Sequence, residues 1–182
     1  RGKKDVTQDI VIVAIDDPSL ELVGKWPWNR NKTAQLLDAI AAQDPKTIML
    51  GVTFGQDQYQ TSSGYTDSLA RTIARAGNVV LGYYYSQSDL PPMGSLLPDG
   101  FAKSAYRSFD NPALFDRYPP PAATRIYAPE SALAKSAAEL GFVNVIIDQD
   151  RKIRWQPLII GFRGEFYPSL QIIAAANYLN ID

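Results

Sequence analysis

Three short apolar runs, separated by helical patterns, constrain the fold of this chain most strongly. Residues 10–15, 47–54 and 78–85 are rich in β-branched and aromatic side chains. The first run does not alternate between apolar and polar residues, which is typical of a strand buried on both faces. Helical patterns cover residues 32–43 and 67–76, between the runs. This β-α-β-α-β order predicts a parallel sheet with crossover helices, in which residues 10–15 lie centrally beside residues 47–54.

A proline-rich stretch then interrupts this rhythm. Residues 86–129 hold eight of the 13 prolines, and a long irregular segment is uncommon in a compact domain. We interpret the stretch as an insertion that is either functional and partner-facing or a variable surface decoration. Its aromatic side chains are expected to fold back onto the core, and they are Phe101, Tyr106, Phe109, Phe115 and Tyr118.

The last third of the chain returns to regular patterns. A helix is predicted over residues 130–140, ending at Gly141, and residues 142–147 and 153–162 are expected to pair as an antiparallel hairpin. A final helix is predicted from residue 167 to about residue 179. The fold class that follows is α/β, with a mixed, partly parallel sheet flanked by helices and a long Pro-rich insertion, in one domain over residues 1–182.

Composition excludes several classes of function. The chain has 182 residues, a formal net charge of −1, no Cys and no His. Thiolate nucleophiles, Cys-based zinc sites and Ser-His-Asp catalysis are therefore excluded, and any metal would have to be a hard cation with oxygen ligands. The near-zero charge argues against a nucleic-acid partner. No dinucleotide or phosphate-cradling motif is present, so we expect no cofactor.

Two adjacent carboxylates follow the first apolar run. Asp16 and Asp17 stand where the predicted strand ends, which is the edge at which open α/β sheets tend to bind ligands. Together with Asp57, after the second run, they could hold Mg²⁺ or Ca²⁺. The structural alternative is that they form a turn and cap a short helix that begins at Pro18. Both alternatives stay open at this point.

The most unusual segment is WPWNR, at residues 26–30. Two indole rings on either side of a proline form a rigid aromatic ledge, and Arg30 can bind a carboxylate through two hydrogen bonds. The ledge is either a surface for a ligand or partner, or a structural plug. In both cases we expect a hydrogen-bonded cluster of Asp16, Asp17 and Arg30 beneath it, because closely spaced carboxylates otherwise repel one another.

Several motifs become specific in combination. The first apolar run leads into DDPSL at residues 16–20, and Gly24 and Lys25 precede WPWNR. GFVNV at residues 141–145 and PSL at residues 168–170 come later. In this combination the chain resembles the second type of CHASE domain, an extracellular sensory domain associated with cyclases and histidine kinases. The resemblance covers nearly the whole chain, with residues 86–129 as the variable part.

This resemblance implies the extracytoplasmic sensor of a bacterial cell-membrane receptor. Such a sensor is either periplasmic or extracellular. Membrane helices of the same chain would flank the domain, and the cytoplasmic output would be a kinase, a nucleotide cyclase or a cyclic-di-GMP enzyme. A homodimer is expected, and the small-molecule or protein ligand is undefined. One departure concerns residue 51, where the family usually has an acidic residue and this chain has Gly51.

Two classes of function therefore remain. The first is a non-catalytic, ligand-sensing domain of a transmembrane signalling receptor. The second is a carboxylate- or metal-dependent α/β enzyme that uses Asp16, Asp17 and Asp57. For the sensor, the candidate ligand-binding residues are Asp16, Asp17, Trp26, Trp28, Arg30 and Asp57, in a region between the carboxyl edge of the sheet and the insertion.

Overall fold

The computed structural model describes residues 9–54, 63–87, 97–106 and 113–181. Within these ranges the helices are α1 (Asp17–Val23), α2 (Arg30–Ala41), α3 (Ser63–Ala76), α4 (Ala113–Arg117), α5 (Ser131–Ser136) and α6 (Leu170–Leu179), with a 3₁₀ turn at Phe101–Ser104. The strands are β1 (Ile48–Thr53), β2 (Val79–Ser86), β3 (Arg125–Tyr127), β4 (Glu139–Phe142), β5 (Ile146–Ile147), β6 (Ile153–Trp155), β7 (Ile159–Phe162) and β8 (Glu165–Pro168). The protein is a mixed α/β structure.

Strand β2 lies at the centre of the main sheet. Its first half pairs in parallel with β1 on one edge and with β4 on the other, and its last three residues pair antiparallel with β3. The remaining strands form two antiparallel pairs, β5 with β6 and β7 with β8. The sheet is therefore mixed and partly parallel, as the sequence predicts.

Both faces of this sheet are covered by helices. Side chains at alternate positions of β2, from Val79 to Tyr85, pack into a core with α2, α3 and α5. Val80 points to the other face, where it packs with Leu170 and Ile173 of α6. Successive side chains of a strand point to opposite faces, so a strand between two helical layers must carry apolar side chains on both faces. Strand β2 meets this requirement.

Local sequence explains where the helices begin. Asp16 caps α1 by accepting a hydrogen bond from the Ser19 backbone N–H, and Asn29 and Ser169 cap α2 and α6 in the same way. Gly24 ends α1 with a φ of +108°, a value that side chains disfavour. The capping alternative for Asp16 is therefore confirmed.

The GFVN motif joins β4 to its neighbours on three sides. Phe142 is buried in the core, and Val143 packs against Val80. The Asn144 side chain donates to the carbonyl of Tyr85 and accepts from its N–H, both at 2.9 Å, so one amide side chain replaces a strand partner there. Gly141 lies inside β4 and does not end a helix, so the prediction for that residue is wrong.

The first apolar run is the largest error of the sequence analysis. Residues 10–15 form neither a strand nor a helix, and most of their side chains are exposed. The central position that the pattern predicts belongs to β2, and residues 10–15 instead line a groove beside β1. The prediction failed because a continuous run of apolar residues shows only that a strand could be buried on both faces. It does not show that a partner strand is present.

Other boundaries also differ from the predictions. The helix predicted over 130–140 ends at Ser136, and the predicted strand over 153–162 divides into β6 and β7. The hairpin of β5 and β6 is present, and its turn is fastened by Arg154, which donates to Asp148 and Asp150. The last helix begins after β8, a strand that the sequence analysis missed because Pro168 resembles a helix start.

The described parts of the 86–129 stretch do fold back onto the core. Phe101 is fully buried against Tyr83, Phe115 stacks on Phe166 with ring centroids 4.6 Å apart, and β3 extends the sheet. Tyr118, by contrast, is exposed. Phe109 lies outside the described residues.

Replacing Gly141 with alanine is expected to destabilise the fold. An added Cβ would lie 2.4 Å from the Cα of Leu170, so α6 would have to move away from β4. We expect the free energy of unfolding in urea, followed by tryptophan fluorescence, to fall by about 2–3 kcal/mol. The matched control is Gly161→Ala in β7, where the nearest atom would lie 3.8 Å away and the loss should stay within about 0.5 kcal/mol. Equal losses in both variants would contradict the close approach of α6.

Candidate functional site

A groove runs along the edge of β1 that faces away from β2. It has a volume of about 1850 Å³. The floor is β1, and the far wall is the extended segment of residues 10–15. This volume is larger than that of most small-molecule pockets, which occupy about 300–1000 Å³. The groove therefore has room for a large ligand.

The other two walls are helices from opposite faces of the sheet. Leu36 and Ile40 of α2 line one wall, and Ala174, Ala175 and Tyr178 of α6 line the other. Four of these five side chains are aliphatic, and Tyr178 contributes an aromatic ring. The α6 wall carries no charge, because residues 170–181 contain neither acidic nor basic side chains. The groove is thus lined mainly by apolar side chains.

Lys46 marks the end of the groove where β1 begins. Its ammonium group lies 5.1 Å from the centre of the Tyr178 ring, which is within the range of a cation–π contact. No ion pair in the described ranges joins Lys46 to a carboxylate. This ammonium is therefore a positive charge at the mouth of an apolar channel.

The aromatic ledge lies at the opposite end. The bond between Trp26 and Pro27 is cis, and the rings of Trp26 and Trp28 meet edge to face with centroids 5.8 Å apart. The Trp28 indole N–H donates to the carbonyl of Gly24 at 2.7 Å, which fixes that ring. Trp26 is 40% exposed, so the ledge is not a buried plug but part of the groove wall.

Arg30 is buried, but its partners are not those that the sequence suggested. The guanidinium donates to the Thr66 hydroxyl of α3 and to the Glu130 carboxylate at 2.5 Å, just before α5. The cluster of Asp16, Asp17 and Arg30 does not form, and that prediction is wrong. Residue 130 is 100 positions from residue 30, a separation at which sequence spacing carries no information about pairing.

This arrangement, which we call the Arg30 clamp, joins three helices at the carboxyl ends of the strands. Hydrogen bonding to Arg30 holds the pKa of Glu130 below its usual value, and partial burial opposes the effect. Thr66 also bonds the second carboxylate oxygen of Glu130, so the charge is shared between two donors. Arg30 lines the inner end of the groove as well. The clamp therefore fixes the wall that a ligand would contact.

The candidate carboxylates lie away from the groove. Asp16 is an exposed helix cap whose pKa is lowered by the hydrogen bonds from Ser19, and Asp17 is exposed in the first turn of α1. Asp57 lies outside the described residues. Within the ranges that the structure describes, no three acidic side chains approach closely enough to hold a metal ion.

Residue 51 leaves space in the groove because it is a glycine and has no side chain. Gly51 lies in β1 at the groove floor, and a Cβ built on it would meet nothing within 4 Å. A side chain at this position would project into open space. The acidic residue that the resembled family usually carries here is absent, so the floor of this groove is uncharged at that point.

The sequence analysis missed the α6 wall and Lys46. It placed the ligand region between the sheet edge and residues 86–129, but none of the described residues of that stretch lines the groove. One signal was available: residues 170–176 are mostly apolar around the whole helix, which exceeds what one covered face requires.

We expect Arg30→Ala to reduce the free energy of unfolding by about 1–3 kcal/mol. The substitution leaves Glu130 and Thr66 without their donor in a partly buried site. Arg75→Ala is the matched control, because Arg75 pairs with Asp38 between the same two helices but its side chain is 68% exposed. Its loss should not exceed about 0.5 kcal/mol. A loss for Arg30→Ala as small as that of the control would show that the clamp is not structural.

The clamp also predicts how stability depends on pH. A carboxylate whose pKa is lower in the folded than in the unfolded protein stabilises the fold above its unfolded pKa, and the contribution is lost as the pH falls through the folded value. We therefore expect the stability difference between the wild type and Glu130→Gln to shrink on acidification from about pH 6 to about pH 3. Urea titrations at each pH measure it. A difference that stays constant would contradict the ionised clamp.

Comparison with known proteins gives one match. The model of the family described as "CHASE2 domain" matches residues 1–182, the whole chain. Neither the curated proteins nor the solved structures contain a match. In the described ranges no helix has the length and apolar character needed to cross a membrane. The match over the full length shows that the chain belongs to the CHASE2 family of extracellular sensory domains.

Proposed function

We propose that this chain is an extracytoplasmic, ligand-sensing domain of a bacterial transmembrane signalling receptor, and that it does not itself catalyse a reaction. Membership of the CHASE2 family carries the proposal, because it is a family of extracellular sensory domains. The receptor context is part of the proposal, and the same membership supports it. Membrane helices would flank residues 1–182 in a single folded unit, a cytoplasmic kinase, nucleotide cyclase or cyclic-di-GMP enzyme would provide the output, and the receptor would act as a homodimer.

The groove beside β1 is our candidate for the sensory site. It has a volume of about 1850 Å³, and it is lined by side chains from three separate parts of the chain. A ligand between α2 and α6 would contact both helical layers of the domain at once. Two layers that contact one ligand can change their relative position when it binds, as a receptor requires.

The lining also favours a class of ligand. The walls are mainly apolar, and the charged residues of the lining are Asp9, Arg30 and Lys46. Arg30 is bound to Glu130, whereas no ion pair in the described ranges joins Lys46 to a carboxylate. Buried apolar surface would supply most of the affinity, and Lys46 would fix the orientation of an acidic group. We infer an elongated, mainly apolar molecule that carries one acidic group, with its other end against Trp26 and Trp28.

Binding of the dye 1-anilinonaphthalene-8-sulfonate tests the groove, because the dye combines aromatic rings with one acidic group. We expect saturable binding to the wild type, and binding weakened at least about tenfold in Leu36→Gln, which places an amide in the apolar wall. Leu114→Gln is the control, since Leu114 is an exposed apolar residue of α4 outside the groove. Equal affinity in all three proteins would contradict the proposed site.

A turnover assay separates the sensor from the enzyme alternative. The purified chain should show no phosphatase, glycosidase or esterase activity, with or without Mg²⁺. Turnover that is abolished by Asp16→Asn would overturn the sensor proposal in favour of a carboxylate-dependent enzyme. The same substitution should otherwise affect only α1, because the Asp16 carboxylate caps that helix.

A further inference from the structure

We propose that residues 10–15 are a strap that closes the groove by pairing, as a parallel strand, with the free edge of β1. The arrangement described above is then the open state, and ligand binding competes with closure. The closure itself is independent of any ligand, whereas the competition rests on the proposed function of the groove.

The exposure of the strap is the first observation. The side chains from Ile10 to Val13 are between 53% and 86% exposed, although all four are β-branched and apolar. Within the described ranges no hydrogen bond from the backbone of residues 10–15 is present. A segment of this composition gains free energy when it is transferred from water into an apolar site. It already forms one wall of such a site.

The groove and the strap have matching patterns. A strand laid along the free edge of β1 would have α2 on one face and α6 on the other, because those helices form the two side walls. It would therefore need apolar side chains at every position and not at alternate ones. The strap, with the sequence IVIVAI, meets this requirement, and an ordinary half-exposed strand would not.

The backbone of β1 offers the complementary hydrogen bonds. The Ile48 N–H donates to the carbonyl of Asn78 at 3.0 Å, on the side of β2. Because the direction of the N–H alternates along a strand, the Met49 N–H points to the opposite, free edge. Two extended segments with unpaired backbone groups thus border the same groove.

Chain direction allows the pairing. The strap is followed by α1 and α2, and α2 is followed by β1 through a short connection. Residue 15 therefore lies toward the end of the groove at which α2 begins, and residue 10 toward the end at which β1 begins. Closure would complete a strand–helix–strand unit with parallel strands, the arrangement that such a crossover connection normally makes. No segment would have to thread through another.

The strap is part of the same chain, so it is always available to occupy the groove. A segment tethered to the groove has a high effective local concentration, so it competes with any free molecule for the same edge. A ligand that fills the groove between α2 and α6 holds the strap open, since both occupy the same space. Binding would shift the population of strap states, and the strap connects through α1 to the Trp26–Trp28 ledge.

Hydrogen exchange of the purified chain without ligand tests closure. If the strap pairs with β1, the Met49 amide and alternate amides of residues 10–15 should exchange at least about tenfold more slowly than unstructured chain. The exchange rates should be independent of protein concentration. Free exchange at both places would overturn the proposal, as would protection that appears only at high concentration, because a second copy of the chain would then occupy the edge.

A pair of substitutions provides the second test. Ile12 and Leu22 are equally exposed in the open state, at 86% and 88%, but only Ile12 would be buried on closure. Ile12→Asn should lower Tm by about 5 °C or more and remove the protection of Met49, while Leu22→Asn should leave both nearly unchanged. Ile12→Val should behave as the wild type. Equal effects of the two asparagine variants would overturn the strap.

The outcomes also separate the strap from the proposed function. If Met49 is protected in the wild type and the dye binds neither the wild type nor Ile12→Asn, the strap is supported and the sensory groove is contradicted. Dye binding with an unprotected Met49 supports the groove and overturns the strap. If both hold, a saturating concentration of the dye should remove the protection of Met49 in the wild type, because the dye and the closed strap occupy the same space.

Discussion

The pairing of β2 along both edges is the constraint on which the rest of the structure depends. β1 and β4 occupy its two sides, and a single amide, Asn144, completes the second side where β4 has ended. Both faces of β2 are covered as well, which requires Gly141 to let α6 approach β4. Because both edges of β2 are hydrogen-bonded and both of its faces are covered, any further strand must be added elsewhere. The free edge of β1 is one such place, and β1 forms the floor of the groove.

The helices explain why this edge stays accessible. α2 and α3 are fastened to each other by the Arg30 clamp at one end and by Arg75 and Asp38 at the other. These contacts keep α2 over the sheet, and the packing of Leu170 and Ile173 keeps α6 on the other face. Side chains of both helices line the groove beside β1. Hydrophobic packing thus forms most of the site, and Asp9, Arg30 and Lys46 are the charged residues of its lining.

Local sequence patterns predicted much of this fold. α2, α3, β1 and β2 lie within a few residues of their expected bounds, because helix caps, apolar stripes and short strands are set by neighbouring residues. Failures occurred where a partner is distant in sequence. Arg30 was matched with nearby carboxylates and binds Glu130, and Gly141 was taken as a helix stop although it serves a close approach. Trp26, Trp28 and Arg30 do line the groove, while Asp16 and Asp17 do not.

The two ends of α2 differ in how firmly they are held, and this asymmetry matters for a sensor. At the first end the Arg30 guanidinium is buried between a hydroxyl and a carboxylate, so displacing it would leave charged groups without partners in a partly buried site. At the other end Arg75 and Asp38 form an exposed ion pair that contributes little. The contacts that hold α2 to α3 are therefore stronger at the end near the ledge than at the end near Lys46. If a ligand displaces α2 as proposed, we therefore expect the end of α2 near Asp38 to move more than the end that the Arg30 clamp holds.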